Sequence, residues 1–321
     1  MRWSQSKFCS RRLLCLCLLT LWFLTGPSPV VSDVHAELSD LSGVNVAIYN
    51  GTGVMISSRI ALTKMFGWTG ASVVNATASQ IRDGFLNDYD ILVVPGGSEG
   101  TANTDLGSEG KEKVQDFVYN GGSYFGICGG ATFGATYLRL INCFMSPVNE
   151  PGSLIHMTTM HINQSSTGPD LSDLSENFTT MYYGSQYFTP QYGTSFHRIA
   201  TYDFNDKAGM IADTYGYGTV FLSSPHPEYE ENSDRDGTTF GDANDDPDSE
   251  WDLLFRVSQW LIEASTEEPP DSTTTPTSTQ TPTPTPTSTP LNLPLVAVAS
   301  TGVLMVMLVV AVLYRRAQLQ R

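Results

Sequence analysis

Cys128 ends an apolar run, Tyr124 to Ile127, with Gly126 two residues before it and Gly129 and Gly130 directly after. Residues without a Cβ permit a sharp strand-to-helix turn, and the N–H groups that open the following helix favour a thiolate there. Further along, Ser224-Pro225-His226-Pro227-Glu228 sets a histidine and a glutamate two residues apart. In extended chain both side chains leave the same face. A thiol, an imidazole and a carboxylate are the parts of thiol acyl transfer: Cys128 attacks a carbonyl, His226 moves the proton and Glu228 fixes the imidazole tautomer.

Such groups need a rigid frame, and the sequence before Cys128 supplies one. Val44 to Tyr49 reads as a first strand, Met55 to Phe66 as a helix and Ser72 to Val74 as a second strand. A short helix over Ile81 to Leu86, a buried strand over Asp90 to Val94, a helix over Lys111 to Tyr119 and a strand over Tyr124 to Ile127 follow. This alternation predicts a doubly wound α/β domain with a mostly parallel sheet, its site beyond the carboxyl ends of the strands. Three glycine-rich loops fall at those ends: Asn50-Gly51-Thr52-Gly53, Gly96-Gly97-Ser98-Glu99-Gly100 and the turn at Cys128. From Gly152 to Tyr217 the chain turns to Thr, Tyr, Ser and Gly and reads as a β-rich insertion, with runs at Leu154 to Ile162 and Met181 to Phe188. A strand over Thr219 to Ser223 then delivers His226, and Glu250 to Ala264 closes the domain as an amphipathic helix.

The chain ends suggest a location. Arg2, Lys7, Arg11 and Arg12 precede an apolar run from Leu13 to Leu24, and a small-x-small site follows at Val34-His35-Ala36. Residues 1–36 read as a signal peptide. Residues 265–293, mostly Ser, Thr and Pro, read as an extended stalk. Residues 294–314 carry no charge and are followed by Arg315 and Arg316, which predicts a single transmembrane helix with residues 315–321 as a cytoplasmic tail. The globular body, 37–264, is expected outside the cell. It lies in a segment with 32 acidic and 10 basic residues, a charge near −22 that opposes binding to nucleic acid. Once Cys9, Cys15 and Cys17 leave with the signal, Cys128 and Cys143 remain, and their settings favour two free thiols over a disulfide. Sequons at Asn50, Asn75, Asn163 and Asn177 suit an exported glycoprotein.

From Val44 to Glu263 the chain resembles the class I glutamine amidotransferase-like superfamily, and within it most of all the amino-terminal domain family of biotin–protein ligase. The resemblance rests on Val-Val-Pro-Gly-Gly (93–97), Gly-Ile-Cys-Gly-Gly (126–130) and His-Pro-Glu (226–228), in that order. It implies a flavodoxin-like fold, a triad of Cys128, His226 and Glu228, and an oxyanion hole of backbone N–H groups at Gly97 and Gly129. A substrate pocket is expected among Asn50, Gly51, Gly96 and Ser98. Tyr183 either walls that pocket or packs within its strand. The family's glutamine-hydrolysing members usually carry Gln or a similar polar residue four residues after the cysteine and a bulkier residue directly after it. Here those positions hold Thr132 and Gly129, which puts glutamine in doubt as the substrate. Two readings follow: a hydrolase or amidase acting on an external small-molecule or peptide amide or ester, or a silent module that binds a ligand in the same pocket.

Beyond the triad, Asn232, Asp234 and Asp236 alternate before Gly237, like the first half of a calcium loop. Ala243 takes the place of the closing bidentate Glu, so the match is partial and a solvated acidic loop is the alternative. A structural calcium ion is the one cofactor the sequence offers.

Overall fold

The computed structural model describes residues 40–230, 234–244, 246 and 248–266. The expected signal peptide, stalk, transmembrane helix and tail lie outside these residues, as does Asn232. Among the described residues no helix is long and apolar enough to cross a membrane.

Five parallel strands form the frame of the site. They are β1 (Asn45–Tyr49), β2 (Ser72–Ala76), β3 (Ile91–Val94), β4 (Ser123–Ile127) and β11 (Gly218–Ser223), in the order β2-β1-β3-β4-β11. Every residue of β3, β4 and β11 is buried, because helices cover both faces of this part of the sheet. On one face, α1 (Ile56–Trp68) and α5 (Trp251–Glu263) bring Leu62, Met65, Phe66, Leu254 and Val257 onto Ile48, Val93, Phe125 and Phe221. On the other, α2 (Ala78–Arg82) and α3 (Glu99–Tyr119) bring Ile81, Leu106, Val114 and Val118 onto Tyr49, Leu92, Tyr124 and Val220. Each such fully buried aliphatic or aromatic side chain contributes about 1.5–3 kcal/mol, so the strand ends are held on a stiff base.

The β-rich insertion is not a separate layer. Its six strands are β5 (Cys143–Pro147), β6 (Ile155–Ile162), β7 (Asn177–Tyr183), β8 (Gln186–Pro190), β9 (His197–Tyr202) and β10 (Ala208–Tyr215). They continue the same sheet in antiparallel pairing, with β10 bonded to β11, so the whole sheet is mixed and its parallel part is the five-strand frame. The run expected over Met181 to Phe188 is split into β7 and β8, where Gly184 turns at φ 54°. The helix expected over Ile81 to Leu86 lies earlier. A capping box between Thr77 and Gln80 starts α2, and Gly84 separates it from a 3₁₀ turn at Phe85–Asp88. The helix α3 begins at Glu99, capped by Ser98, well before the expected Lys111. Gly100, Gly107 and Gly110 dilute its apolar pattern, and Gly107 interrupts its helical backbone.

Candidate active site

Cys128 is the first residue past the β4 ladder. Its N–H donates to the Ser223 carbonyl of β11 at 2.7 Å, and its backbone turns at φ 50° and ψ −111°. A non-glycine residue at positive φ is strained, a cost the surrounding sheet must support. The chain then enters the four-residue helix α4 (Gly129–Thr132), which continues as a π-helical turn to Tyr137. Gly129 donates its N–H to the thiol.

The antiparallel extension fixes the base. Just past β11, the His226 N–H donates to the Met181 carbonyl of β7 at 3.0 Å, tying the His-Pro-Glu segment to the insertion. The His226 ring lies between Tyr183 and Tyr229, at centroid distances of 6.0 and 5.5 Å, and Phe240 packs on both tyrosines. His226 Nδ1 meets Glu228 Oε1 at 2.9 Å, with both residues fully buried. Nδ1 is the donor wherever Glu228 is ionised. The other ring nitrogen, Nε2, has no well-aligned hydrogen-bond partner among the described residues but lies near enough to the Cys128 thiol to interact with it. Burial pushes the Cys128 thiol up, but the His226 charge and hydrogen bond, aided by Gly129 N–H, outweigh it and hold the thiol below its ordinary value. Burial likewise opposes charge on His226, yet Glu228 and the Cys128 sulfur raise the imidazole well above its ordinary value. These two opposed shifts favour an imidazolium–thiolate pair.

Close approach at Gly96 and Gly129 permits this arrangement. A Cβ at Gly96 would sit 2.7 Å from His226 Cε1, and one at Gly129 would sit 2.0 Å from the Gly97 carbonyl oxygen. The second contact gives a local reason why a bulkier residue does not fit after Cys128. Gly97 pairs with Val54 in a bridge closed by Met55 N–H to the Gly96 carbonyl and Ser98 N–H to the Gly53 carbonyl. This leaves the Gly97 N–H without an acceptor among the described residues. A cleft of about 10 Å³ lies beside the turn, lined by Gly53, Gly96, Gly97 and Gly129 among others. That is room for one water or one oxygen atom.

The other expected pocket residues divide. Tyr183 is brought to the His226 ring. Ser98 lines the small cleft, but its hydroxyl accepts the Thr101 N–H as the cap of α3. Asn50 and Gly51 are not brought to it. They line an open depression of about 450 Å³ with Thr77, Ser79, Arg82 and Asp105, where Asp105 Oδ2 accepts from the Tyr49 hydroxyl and the Thr52 N–H. Of the expected calcium ligands, Asp234 and Asp236 lie among the described residues and are not drawn into a shared cluster there. Asp236 is buried and accepts the N–H groups of Glu230 and Thr238, so it stabilises a turn, while Asp234 stays exposed. The acidic side chains drawn together among the described residues are Asp246, Asp248 and Glu250, and Asp248 also accepts the Thr179 N–H.

One contributor was missed from the sequence. Ser58 of α1 is fully buried and donates to Glu228 Oε1 at 2.6 Å, while its oxygen accepts the Gly96 N–H at 3.0 Å. It lies in no motif, and no local signal marks it. Gln186 of β8, within the same Tyr182–Tyr187 run as Tyr183, reaches Thr132 Oγ1 through Nε2 at 3.5 Å, with its backbone held by Ser224 and Tyr202.

Residues 44–141 match the family model described as biotin-protein ligase, N terminal. A biotin–protein ligase of Schizosaccharomyces pombe (strain 972) is 26% identical over 214 residues, covering 58% of this chain and 33% of that protein. The chain thus spans a third of that relative's length. Among solved structures, PurLQS from Thermotoga maritima aligns with a TM-score of 0.49 at 12% identity, over 68% of this chain and 99% of the other. A glutamine amidotransferase of the same organism aligns with a TM-score of 0.46 at 11% identity, over 69% and 90%.

Proposed function

Because residues 44–141 match the biotin–protein ligase N-terminal family, we propose that this chain is a membrane-anchored thiol hydrolase or amidase on the class I glutamine amidotransferase-like plan, whose globular domain acts on an amide or ester outside the cell. The observation that carries the reading is the fully buried His226–Glu228 pair facing a thiol on a strained turn. Biotin transfer, the activity in the relative's name, is not carried over, since the match covers a third of that protein. The frame order β2-β1-β3-β4-β11 supports the flavodoxin-like reading of the fold.

In this reaction the Cys128 thiolate attacks the carbonyl carbon. The oxyanion takes the small cleft beside Gly97 and Gly129, whose N–H groups are its donors; one such donor is worth about 3–4 kcal/mol in the barrier. His226 gives its proton to the departing amine or alcohol as the carbon–nitrogen or carbon–oxygen bond breaks, leaving a thioester. Water then attacks the thioester, His226 takes its proton, and the carboxylic acid leaves as the thiolate is restored. Glu228 holds Nδ1 throughout, so that Nε2 faces the reacting atoms. Location rests on the sequence: residues 1–36 as a signal and 294–314 as a span with arginines behind it.

Two experiments test this. A panel of carbonyl electrophiles should label Cys128 in the intact protein and fail on His226→Ala; equal labelling of the two would end the hydrolase reading. Protease added to intact cells should release the body by cutting in 265–293, and a body that survives with only the tail lost would reverse the orientation. The narrow cleft favours a second reading, a binding module for a ligand that offers one oxygen to Gly97 and Gly129. Tight binding with no turnover would support it.

A further inference from the structure

Four groups from three separate segments meet in one buried chain of hydrogen bonds. The Gly96 N–H, beyond β3, donates to Ser58 Oγ of α1 at 3.0 Å. Ser58 Oγ donates to Glu228 Oε1 at 2.6 Å, and the same oxygen meets His226 Nδ1 at 2.9 Å. The direction of the chain is fixed at its first link. A backbone N–H can only donate, so the Ser58 oxygen accepts there and its single proton is available only to Glu228. Glu228 Oε2 is buried with no partner among the described residues, so Oε1 alone carries both bonds. The Glu228 backbone is held separately, its carbonyl accepting from Trp251 Nε1 at 3.1 Å.

We infer that Ser58 is a positioning residue of the candidate triad, a fourth member that keeps Glu228 aimed at His226 and locks both to the glycine loop lining the oxyanion cleft. The inference rests on the hydrolase reading above and deepens it. A carboxylate buried in protein is costly unless donors satisfy it. His226 is one such donor and Ser58 the other. With Ser58 gone, Glu228 is left with one donor and is freer to turn away from His226. The imidazolium loses part of its counter-charge, and the thiolate loses part of its own. The Gly96 N–H loses its acceptor at the same time, which frees the loop that must present Gly97. The titratable groups facing Glu228 are His226, Cys128 and Tyr229. Tyr229 bonds to Ser57 at 2.8 Å, and its phenol is raised above its ordinary range by burial, so it stays neutral and adds no competing charge.

The test is the pH dependence of Cys128 alkylation by iodoacetamide in the full chain, read at Cys128 by mass spectrometry. In Ser58→Ala the profile should move to higher pH, with labelling at pH 6 about tenfold slower, the loss expected for a hydrogen bond to a charged group. Ser58→Thr, which keeps the hydroxyl, should stay within about threefold of the parent, so that the chemistry of the group is read apart from its packing. In a Glu228→Gln background, Ser58→Ala should have little further effect, because its target is already neutral. A Ser58→Ala profile that overlies the parent, an equal shift in Ser58→Thr, or additive effects in the Glu228→Gln background would each overturn the inference. Should Ser58→Ala not fold, Ser58→Thr decides: retained labelling supports the role and a tenfold loss opposes it. If Cys128 of the parent protein is itself no faster than Cys143, the hydrolase reading has failed rather than the role of Ser58.

Discussion

The two described cysteines pack against the two different core clusters, one on each face of the sheet, and differ in acidity in opposite directions. Cys143 opens β5, is 8% exposed, and has its thiol pushed up to about 12 by burial, with Asp213 adding to the rise. Cys128 is also pushed up by burial, yet it ends below its ordinary value because His226 faces it and Gly129 donates to it. Both are free. Burial alone makes a thiol inert. Burial beside a fixed cation makes a reactive one, because the same low dielectric that penalises a lone charge strengthens the pair. The cation is itself fixed from elsewhere, by Glu228, by the β7 carbonyl at Met181 and by the tyrosines on either side of the ring.

The largest effect should come from removing that cation. In His226→Ala, Cys128 is left in much the same state as Cys143, and its alkylation at pH 6 should fall by about a hundredfold or more. Mass spectrometry of both sites in one digest checks this, with Cys143 as the internal reference. If the Cys128 rate hardly moves, the low thiol value has another source and the contrast between the two cysteines dissolves.

Next in size is Gly129→Ala. Its Cβ would meet the Gly97 carbonyl oxygen, which is backbone and cannot swing aside. A loss of about 2 kcal/mol in unfolding free energy is expected, in the range for an overpacked site. Chemical denaturation measures it. An unchanged midpoint would mean that the two glycine loops are not in contact, and the oxyanion cleft between them would go with it.

Glu228→Gln should act more weakly than His226→Ala. The amide still occupies the site and can accept from Nδ1, but the counter-charge is gone. Cys128 labelling at pH 6 should fall about tenfold, roughly 1.4 kcal/mol. A loss as large as that of His226→Ala would mean that the carboxylate is needed for the fold of the segment and not only for its charge.

The smallest effect concerns the acidic loop. Asp236 is raised to about 6 by burial, with its two N–H bonds pulling the other way and Asp242 and Glu230 adding to the rise. A carboxyl group raised in the folded state binds its proton more tightly there than in the unfolded chain. Its contribution is therefore favourable at low pH and is lost as pH rises from about 4 to about 6. Against the parent, Asp236→Asn should gain stability relatively as pH climbs through that window, by a few degrees in melting temperature. Parallel melting curves for the two proteins would remove Asp236 as a titrating group.

Much of this was readable because it is local. The elbow and the His-Pro-Glu segment are short runs whose spacing already dictates which side chains share a face. The strands β1, β3 and β4 are buried at all but Asn45 and are mostly apolar because helices cover both their faces, so their sequences announce them. What stayed hidden is long-range. Ser58 lies 170 positions from Glu228 and looks like any serine on a helix until the sheet brings α1 over the carboxyl end of β11. Asn50 and Gly51 follow β1, as a site loop should, but the chain turns at Gly53 and Val54 to bridge Gly97, so the residues before the turn face Asp105 instead. Asp236 has the spacing of a metal ligand and the job of a turn cap, because two nearby N–H groups satisfy its carboxylate. Oxygen spacing along a chain does not say whether the oxygens face an ion or the backbone.

The central claim, a thiolate at Cys128 held by the His226 charge, is tested most directly by titrating the thiolate through its ultraviolet absorbance in a Cys143→Ser variant. The account predicts one thiol inflection well below the ~8.5 of a free cysteine, lost or moved above that value in the same variant carrying His226→Ala. An inflection at or above ~8.5 with His226 intact would contradict it.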